Sequence, residues 1–420
     1  MKATKKMLSL IGAAAMAGTA SAVNVTIDKV QQRYPWNGLV DIDYELDGGV
    51  SVDTQFQITV TANGKTYTAS TFKDAVKRTR GKHRITWDTA ADNAKFFSKN
   101  ATVKMSLVDT TGTYYIFDLV NGGAPVITNC TSEAFSDNVY KTTKLVMRKV
   151  DGQTYHFKNY GANHNYGYRA EGDVTVDSFL VGIYEVTQAQ WKNIMGEYPN
   201  CNFKNEAYRD YLPCEMITYN QIRGEQYDDN GETKSVDWPT TGSNVAATSL
   251  LGLLRTKINN SLTTGYLFDL PTDKQWQCAY RAGTTTMYYD GLDSAADATA
   301  WAKTMGVIGR CAVNNTAAEA TARGMAGVTG TAMVGTYAAN GYGLYDMSGN
   351  VWEMVLNKGG TVAVDEELTT PANASVARFA MGGSWSNGAS GASGFSAGSS
   401  GSWGESRSGS AVGFRLFSSL

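Results

Sequence analysis

Between Val23 and Gly122 apolar and polar residues alternate in short runs: Val23–Val30, Leu39–Tyr44, Thr54–Thr61, Thr66–Thr71, His83–Trp87, Thr102–Val108 and Tyr114–Leu119. A period of two turns every second side chain to the same face, so each run predicts a half-buried strand. Asp47-Gly48-Gly49, Asn63-Gly64 and Thr111-Gly112 supply the turn residues between them. The pattern predicts a small all-β sandwich over residues 23–122. It holds no catalytic constellation and reads as an accessory or spacer module. Tyr34 and Trp36 are its candidate exposed aromatics for a glycan or partner, although aromatics more often fill a core.

The pattern then changes. Residues 123–145 read as a linker, and from 146 onward strands and helices alternate irregularly with long Gly, Asn and Thr loops, which predicts an α+β domain. Two helices are announced by capping boxes, in which a Thr hydroxyl and a Gln amide satisfy free N–H groups of the first turn. The first is Thr187-Gln188-Ala189-Gln190, followed by Trp191, Ile194 and Met195 on one face. The second is Thr272-Asp273-Lys274-Gln275, after Pro271 and before Gly283 as the residue past its C-cap. Asn244–Ile258 predicts a third helix with Leu250, Leu251, Leu254 and Ile258 as its buried stripe.

Composition narrows the function classes. The chain has 420 residues with 37 Lys+Arg against 39 Asp+Glu. That length suits two domains, and the near balance, with no basic stripe, gives no footprint for nucleic acid. Lys2, Lys5 and Lys6, the apolar stretch Met7–Ala17 and Ala20-Ser21-Ala22 predict a cleaved signal peptide over residues 1–22. Removing it takes away three lysines and no acids, leaving 34 − 39 = −5. The mature chain is expected to be exported, whether periplasmic, cell-surface or secreted. No Cys follows the apolar stretch for a lipid anchor, and no second long apolar stretch predicts an integral membrane segment.

Five cysteines, Cys130, Cys201, Cys214, Cys278 and Cys311, show no C-x-x-C spacing. Export permits disulfides, and the odd count leaves at least one thiol over. Cys201 with Cys214 is the preferred pair because both flank one loop; five unpaired thiols is the alternative. Cys278, inside the second helix with nothing basic before it, reads as a packed small hydrophobe rather than a nucleophile. His83, His156 and His164 are scattered, which argues against a three-His metal site or a Ser-His-Asp arrangement.

Several blocks in order carry a resemblance. Val176-Asp177-Ser178-Phe179, Tyr184-Glu185-Val186-Thr187, Phe268-Asp269-Leu270-Pro271-Thr272 with Trp276, Gly341-Tyr342-Gly343-Leu344-Tyr345-Asp346-Met347-Ser348-Gly349-Asn350-Val351-Trp352-Glu353, Gly382-Gly383-Ser384-Trp385 and Gly413-Phe414-Arg415 resemble the sulfatase-modifying factor family, that of the formylglycine-generating enzyme. The resemblance implies that family's variant of the C-type lectin fold over residues 146–417. Its enzymes oxidise a sulfatase Cys to formylglycine with molecular oxygen, using two cysteines that bind one copper ion. The resemblance puts those cysteines three and eight residues beyond Ser384, where this chain has Asn387 and Ala392; no cysteine follows Cys311. Neither an amide oxygen nor a methyl replaces a thiolate at Cu(I), so copper is not expected. Thiols supplied instead by Cys278 and Cys311 would require a rearranged fold. The resemblance also implies a calcium site, through the side chains of Asp346 and Glu353 and the carbonyls of Gly349 and Val351. Calcium is a hard ion that accepts carboxylates and carbonyls alike. Asn314 and Asn315 lie in the region of a second family calcium site, without a clear match.

From Ser384 to Val412 the chain has 11 Ser, 7 Gly and 4 Ala, interrupted by larger residues. Such composition suits a flexible linker, yet it stands between two of the resembling motifs. Ser, Gly, Ala, Asp and Tyr are each one or two adenine changes from an Asn codon. The segment resembles the variable region of retroelement-diversified proteins, which present a ligand-binding face on a rigid lectin-type scaffold. Trp385, Asn387, Phe395, Trp403, Glu405 and Arg407 are its candidate contacts. The expected function is non-catalytic recognition of a protein or glycan ligand through residues 385–407. The alternatives are an oxidase acting on a sulfatase Cys and a structural cell-surface protein that binds glycan.

Overall fold

The computed structural model describes residues 23–35, 37–50, 54–69, 71–92, 94, 98, 101–109, 112–157, 171–224, 245–260, 262, 265–290, 292, 298–358, 377–388, 400–404 and 408–420, with backbone only at 54, 55, 57, 66, 68, 106–109, 358, 377 and 400–404. The signal peptide expected at residues 1–22 and Trp36 lie outside them.

Six strands build the first unit: β1 (Val25–Gln32), β2 (Leu39–Leu46), β3 (Thr54–Ala62), β4 (Lys65–Ala69), β5 (Gly81–Asp88) and β6 (Thr102–Asp109). They form two antiparallel sheets in the orders β1-β2-β5 and β4-β3-β6. The alternation works as expected along β2: Val40, Ile42, Tyr44 and Leu46 are buried and face Ile58, Val60, Ile85 and Trp87 in the core. Polar positions of the same sheet carry surface ion pairs, Arg33 with Asp41 and Arg84 with Asp43. Tyr34 is 86% exposed, so it is not a core aromatic.

The seventh expected strand leaves the sandwich. β7 (Gly112–Asp118) pairs with β8 (Val126–Cys130) and β9 (Lys144–Val150). Between β8 and β9 come a single 3₁₀ turn, Ser132–Phe135, and the short helix α1 (Val139–Thr142). The span 123–145 is thus part of the second fold and not a linker. Aromatic partners explain the switch: Phe117 meets Tyr266 and Phe268 edge-on, and Tyr114 packs on Phe135. Alternation identifies a strand but is silent on which sheet it joins.

The second unit follows as β10 (Gln153–Phe157), β11 (Gly172–Val176), β12 (Phe179–Gly182), α2 (Gln188–Met195), α3 (Tyr219–Arg223), α4 (Leu250–Asn259), β13 (Phe268–Asp269), α5 (Asp273–Arg281), α6 (Ala298–Ile308), α7 (Ala317–Ala322), β14 (Trp352–Lys358), β15 (Ala377–Met381), β16 (Ser400–Gly404), β17 (Val412–Gly413) and β18 (Phe417–Ser419). The C-terminal β18 lies inside a six-stranded sheet ordered β13-β18-β12-β9-β7-β8, bringing both ends of the domain together. A four-stranded sheet, β16-β15-β14-β17, carries the last motifs.

Both expected capping boxes are present, Thr187 with Gln190 and Thr272 with Gln275. The third helix starts later than expected. Ser249 caps α4 by accepting the Gly252 N–H, and Leu250, Leu251, Leu254 and Ile258 are fully buried. All five cysteines are free thiols, so the preferred Cys201–Cys214 bridge is not formed here. Among the described residues no helix is long and apolar enough to cross a membrane.

The two units dock through Arg80. Its N–H donates to Asp290 O at 2.9 Å, and its Nη1 approaches Asp290 Oδ2 at 3.5 Å and Thr304 Oγ1 at 3.3 Å. Gly49 sits so close that an added Cβ would fall 2.4 Å from Tyr289 O.

Candidate functional site

The segment from Gly341 to Glu353 folds back on itself instead of forming a helix or long strand. Positive φ at Gly343, Asp346, Gly349 and Asn350 makes the reversals, and a Cβ on Gly349 would fall 2.1 Å from Arg310 O. The reversals put the motif's polar side chains inside the protein. Glu353 receives Arg415 through Nε at 3.0 and 3.1 Å and through Nη2 at 2.7 Å, and Trp276 Nε1 at 2.7 Å. Arg415 also donates through Nη1 to Gly182 O and through Nη2 to Tyr345 O, at 2.9 and 2.7 Å. Glu185 accepts Asn350 Nδ2 at 2.6 Å and Val351 N at 3.1 Å. Asn350 in turn exchanges bonds with the Ala332 backbone in both directions.

Three carboxylates, Glu185, Asp346 and Glu353, therefore share one buried neighbourhood with the Arg415 guanidinium. Burial and the neighbouring Asp346 and Glu353 push Glu185 well above the usual carboxylate range. Burial lifts Asp346 to about 6, against the Gly335 N–H, Arg415 and Lys141, which pull it down. Burial alone would lower Arg415, but Glu353 more than offsets it and the guanidinium is raised.

The calcium ligand set falls in this knot and fits it unevenly. Asp346 Oδ2 takes the Gly335 N–H at 2.6 Å, while Oδ1 is buried with no hydrogen-bond partner, the oxygen a hard cation would use. Glu353 has both oxygens already engaged by Arg415 and Trp276. Val351 points its N–H to Glu185, and Gly349 its N–H to Gly382 O. Asn314 and Asn315 are occupied elsewhere: Asn314 Oδ1 accepts Cys311 N, and Asn315 Oδ1 accepts Arg310 Nη2 and Gly330 N.

Ser384 lies next to this knot, and its hydroxyl is closed into a turn. Ser384 Oγ donates to Asn387 Oδ1 at 2.7 Å, and Ser384 N donates to the same oxygen at 3.0 Å. Asn387 O accepts Ala312 N at 2.9 Å, tying the turn to the segment after Cys311. Asn387 thus acts as a local brace. Cys278 and Cys311 are buried in the adjoining core, and burial raises both thiols, Cys278 to about 12. Both stay protonated, the form with the weakest metal affinity. Of the other titratable outliers, His156 is spent on Asp173 and Glu171 in the exposed β10–β11 hairpin.

Trp385 is half-buried. Its Nε1 donates to Ser410 O at 2.9 Å, its backbone N–H to Asn350 O at 2.8 Å, and its ring meets Phe203 edge-on at 5.0 Å between centroids. On the same side Gly330 packs under the Phe203 ring. Phe203 is the site residue that the sequence pattern does not reveal, because it sits in an irregular loop with no periodicity. Trp403 is in β16, with its backbone paired to Arg378 of β15. Ala392, Phe395, Glu405 and Arg407 lie outside the described residues, so the structure brings together Ser384, Trp385 and Asn387 only.

With this geometry in hand, comparison with known proteins is informative. Residues 138–420 match the sulfatase-modifying factor enzyme 1-like domain. A formylglycine-generating enzyme from Mycobacterium tuberculosis is 40% identical over 84 residues, 20% of this chain and 25% of that enzyme. A protein from Paenibacillus barcinonensis described as chaperone protein LppX is 28% identical over 201 residues, 44% of this chain and 64% of that protein. The chain therefore spans a quarter of the first relative's length and just under two thirds of the second's. Among solved structures, Treponema denticola variable protein 1 has a TM-score of 0.43 at 20% identity, covering 66% of this chain and 95% of that one.

Proposed function

The chain belongs to the sulfatase-modifying factor enzyme 1-like family, and from that premise we propose that it is an exported protein that recognises a ligand without oxidising it. The observation that carries this reading is the Asn387 brace. At the position where the family's copper thiolate is expected stands an amide whose oxygen already accepts both Ser384 donors. A carboxamide oxygen in that role neither binds Cu(I) nor leaves the Ser384 hydroxyl free to hold a substrate thiol.

The ligand meets the surface that Trp385 and Phe203 open, with residues 385–407 as the proposed contact segment. A half-buried indole held through its N–H to Ser410 O, on a backbone held to Asn350 O, is a rigid apolar anchor, the type of side chain that dominates binding energy. The relative described as a chaperone handles another protein, which favours a polypeptide ligand over a glycan. The small residues around the anchor suit a segment that varies between gene copies. Sister copies differing as often outside 384–412 as inside it would exclude that.

The oxidase remains the second reading, favoured by the identity to a formylglycine-generating enzyme. Incubation with copper, oxygen and a Cys-containing sulfatase peptide separates the two. No aldehyde by mass spectrometry is the expected result; aldehyde formation by the folded protein overturns the proposal. On the binding side, Trp403→Ala is expected to abolish capture of a partner isolated with the intact chain, and unchanged affinity moves the interface elsewhere.

Calcium is proposed at Asp346, with Glu353 and the carbonyls of Gly349 and Val351 completing the set. Its support is the unpartnered Asp346 Oδ1 beside two further carboxylates. When bound, the ion supplies positive charge where three acids outnumber Arg415 and Lys141. Chelation is expected to lower the melting temperature, and an unchanged value removes calcium from the account.

A further inference from the structure

Cys201 and Cys214 stand at the two ends of the loop that carries Phe203, and both are buried at its base. Cys201 Sγ donates to Glu215 O at 3.2 Å and accepts the Glu215 N–H at 3.5 Å. Cys214, the next residue back, donates its thiol to Thr187 O at 3.2 Å, and the Cys201 thiol is among the groups that raise it. Both sulfurs are buried, away from Cys278 and Cys311 in the neighbouring core and from Cys130 on β8. Glu215 is buried beside them. Its Oε1 accepts Phe203 N at 2.8 Å, and its Oε2 has no partner.

We propose that Cys201 and Cys214 form a modification site, at which a disulfide closes while the chain folds in an oxidising compartment. The inference rests on the exported location proposed above, but not on the ligand. Sequence spacing alone leaves this pair and five separate thiols equally open. The geometry favours the pair, since the Cys201 sulfur already bonds the backbone of Glu215, the residue next to Cys214, and no backbone has to be carried across the fold.

The step is an exchange with a small-molecule or protein disulfide. One cysteine thiolate attacks the donor S–S bond, forming a mixed disulfide and releasing one donor thiolate. The other cysteine loses its proton and attacks the first sulfur, releasing the second donor thiolate. The protein gives up two electrons and two protons, and the donor disulfide is reduced to two thiols. Because both sulfurs are buried in the folded chain, the exchange precedes closure of the loop. The bridge then ties both ends of the segment that holds Phe203 edge-on to Trp385, so it stiffens the recognition face from beneath.

The test is refolding of the purified full chain in a mixture of oxidised and reduced glutathione, which is independent of where the cell sends it. Alkylation after denaturation, followed by peptide mapping without reductant, then counts the thiols. Of the five cysteines, Cys130, Cys278 and Cys311 are expected to be alkylated, and a peptide linked through Cys201 and Cys214 to be recovered. Five alkylated cysteines, or a bridge through any other pair, overturns the inference. Reductant is expected to lower the melting temperature of the oxidised wild type by several degrees. The same shift in a C201S/C214S double variant would also overturn it. Export itself is read separately, by cell fractionation, so failure of that premise is distinguishable from failure of the bridge.

Discussion

The knot around Glu353 and the turn at Ser384 are neighbours in space and opposites in construction. In the knot, charged and amide side chains are wholly buried, and Arg415 alone bonds one carboxylate and two distant backbone carbonyls. At the turn, small residues are braced by one amide, and the indole above them is only half-buried. Buried charges are expensive to unpair, whereas a small-residue surface loses little when a side chain changes. The difference teaches that the motif from Gly341 to Glu353 identifies a framework. Its side chains are largely engaged in holding the chain, whereas the proposed recognition is assigned to the segment beyond Ser384 together with Phe203.

The comparison can be broken at its strong end first. Arg415→Ala leaves Glu353, Glu185 and Asp346 without their shared guanidinium and is expected to cost about 3–5 kcal/mol in urea unfolding. A loss below about 1 kcal/mol would mean that the knot does not hold the fold. Trp385→Ala tests the other side. It is expected to weaken partner binding about 30-fold, the equivalent of about 2 kcal/mol, with the secondary structure intact by circular dichroism. A collapse of the fold with that variant would erase the distinction between framework and face.

Acidity sharpens the comparison at the loop that supports Phe203. Burial raises Glu215 to about 7, against the Phe203 and Asn202 N–H groups and Lys204, which act to lower it. A carboxyl raised in the folded state stabilises it when protonated. That contribution is full below the ordinary value near 4.5 and is lost as pH rises through about 7. The melting temperature is therefore expected to fall between pH 5 and 7.5, and Glu215→Gln to flatten the fall. An identical pH profile in the variant would assign the effect to other acids. The smallest expected change is that of Asn387→Ala, about 1 kcal/mol from the lost bonds to Ser384. A value near 4 would place Asn387 in the framework instead.

Alternation, capping boxes and ordered motifs are local properties, and they made the sandwich strands, α2, α5, the buried stripe of α4 and the family legible in the sequence. The absence of any cysteine beyond Cys311 was equally plain, because a residue type needs no fold to be read. Tertiary structure alone decided where β7 belongs, since a strand's period is the same whichever sheet accepts it. It also decided that Glu185 faces Asn350 across 165 positions of chain, that Glu353 is claimed by Arg415, and that Phe203 stands beside Trp385. Those pairings join residues far apart in sequence through loops without periodicity, and only closure of the whole chain brings such side chains within bonding distance.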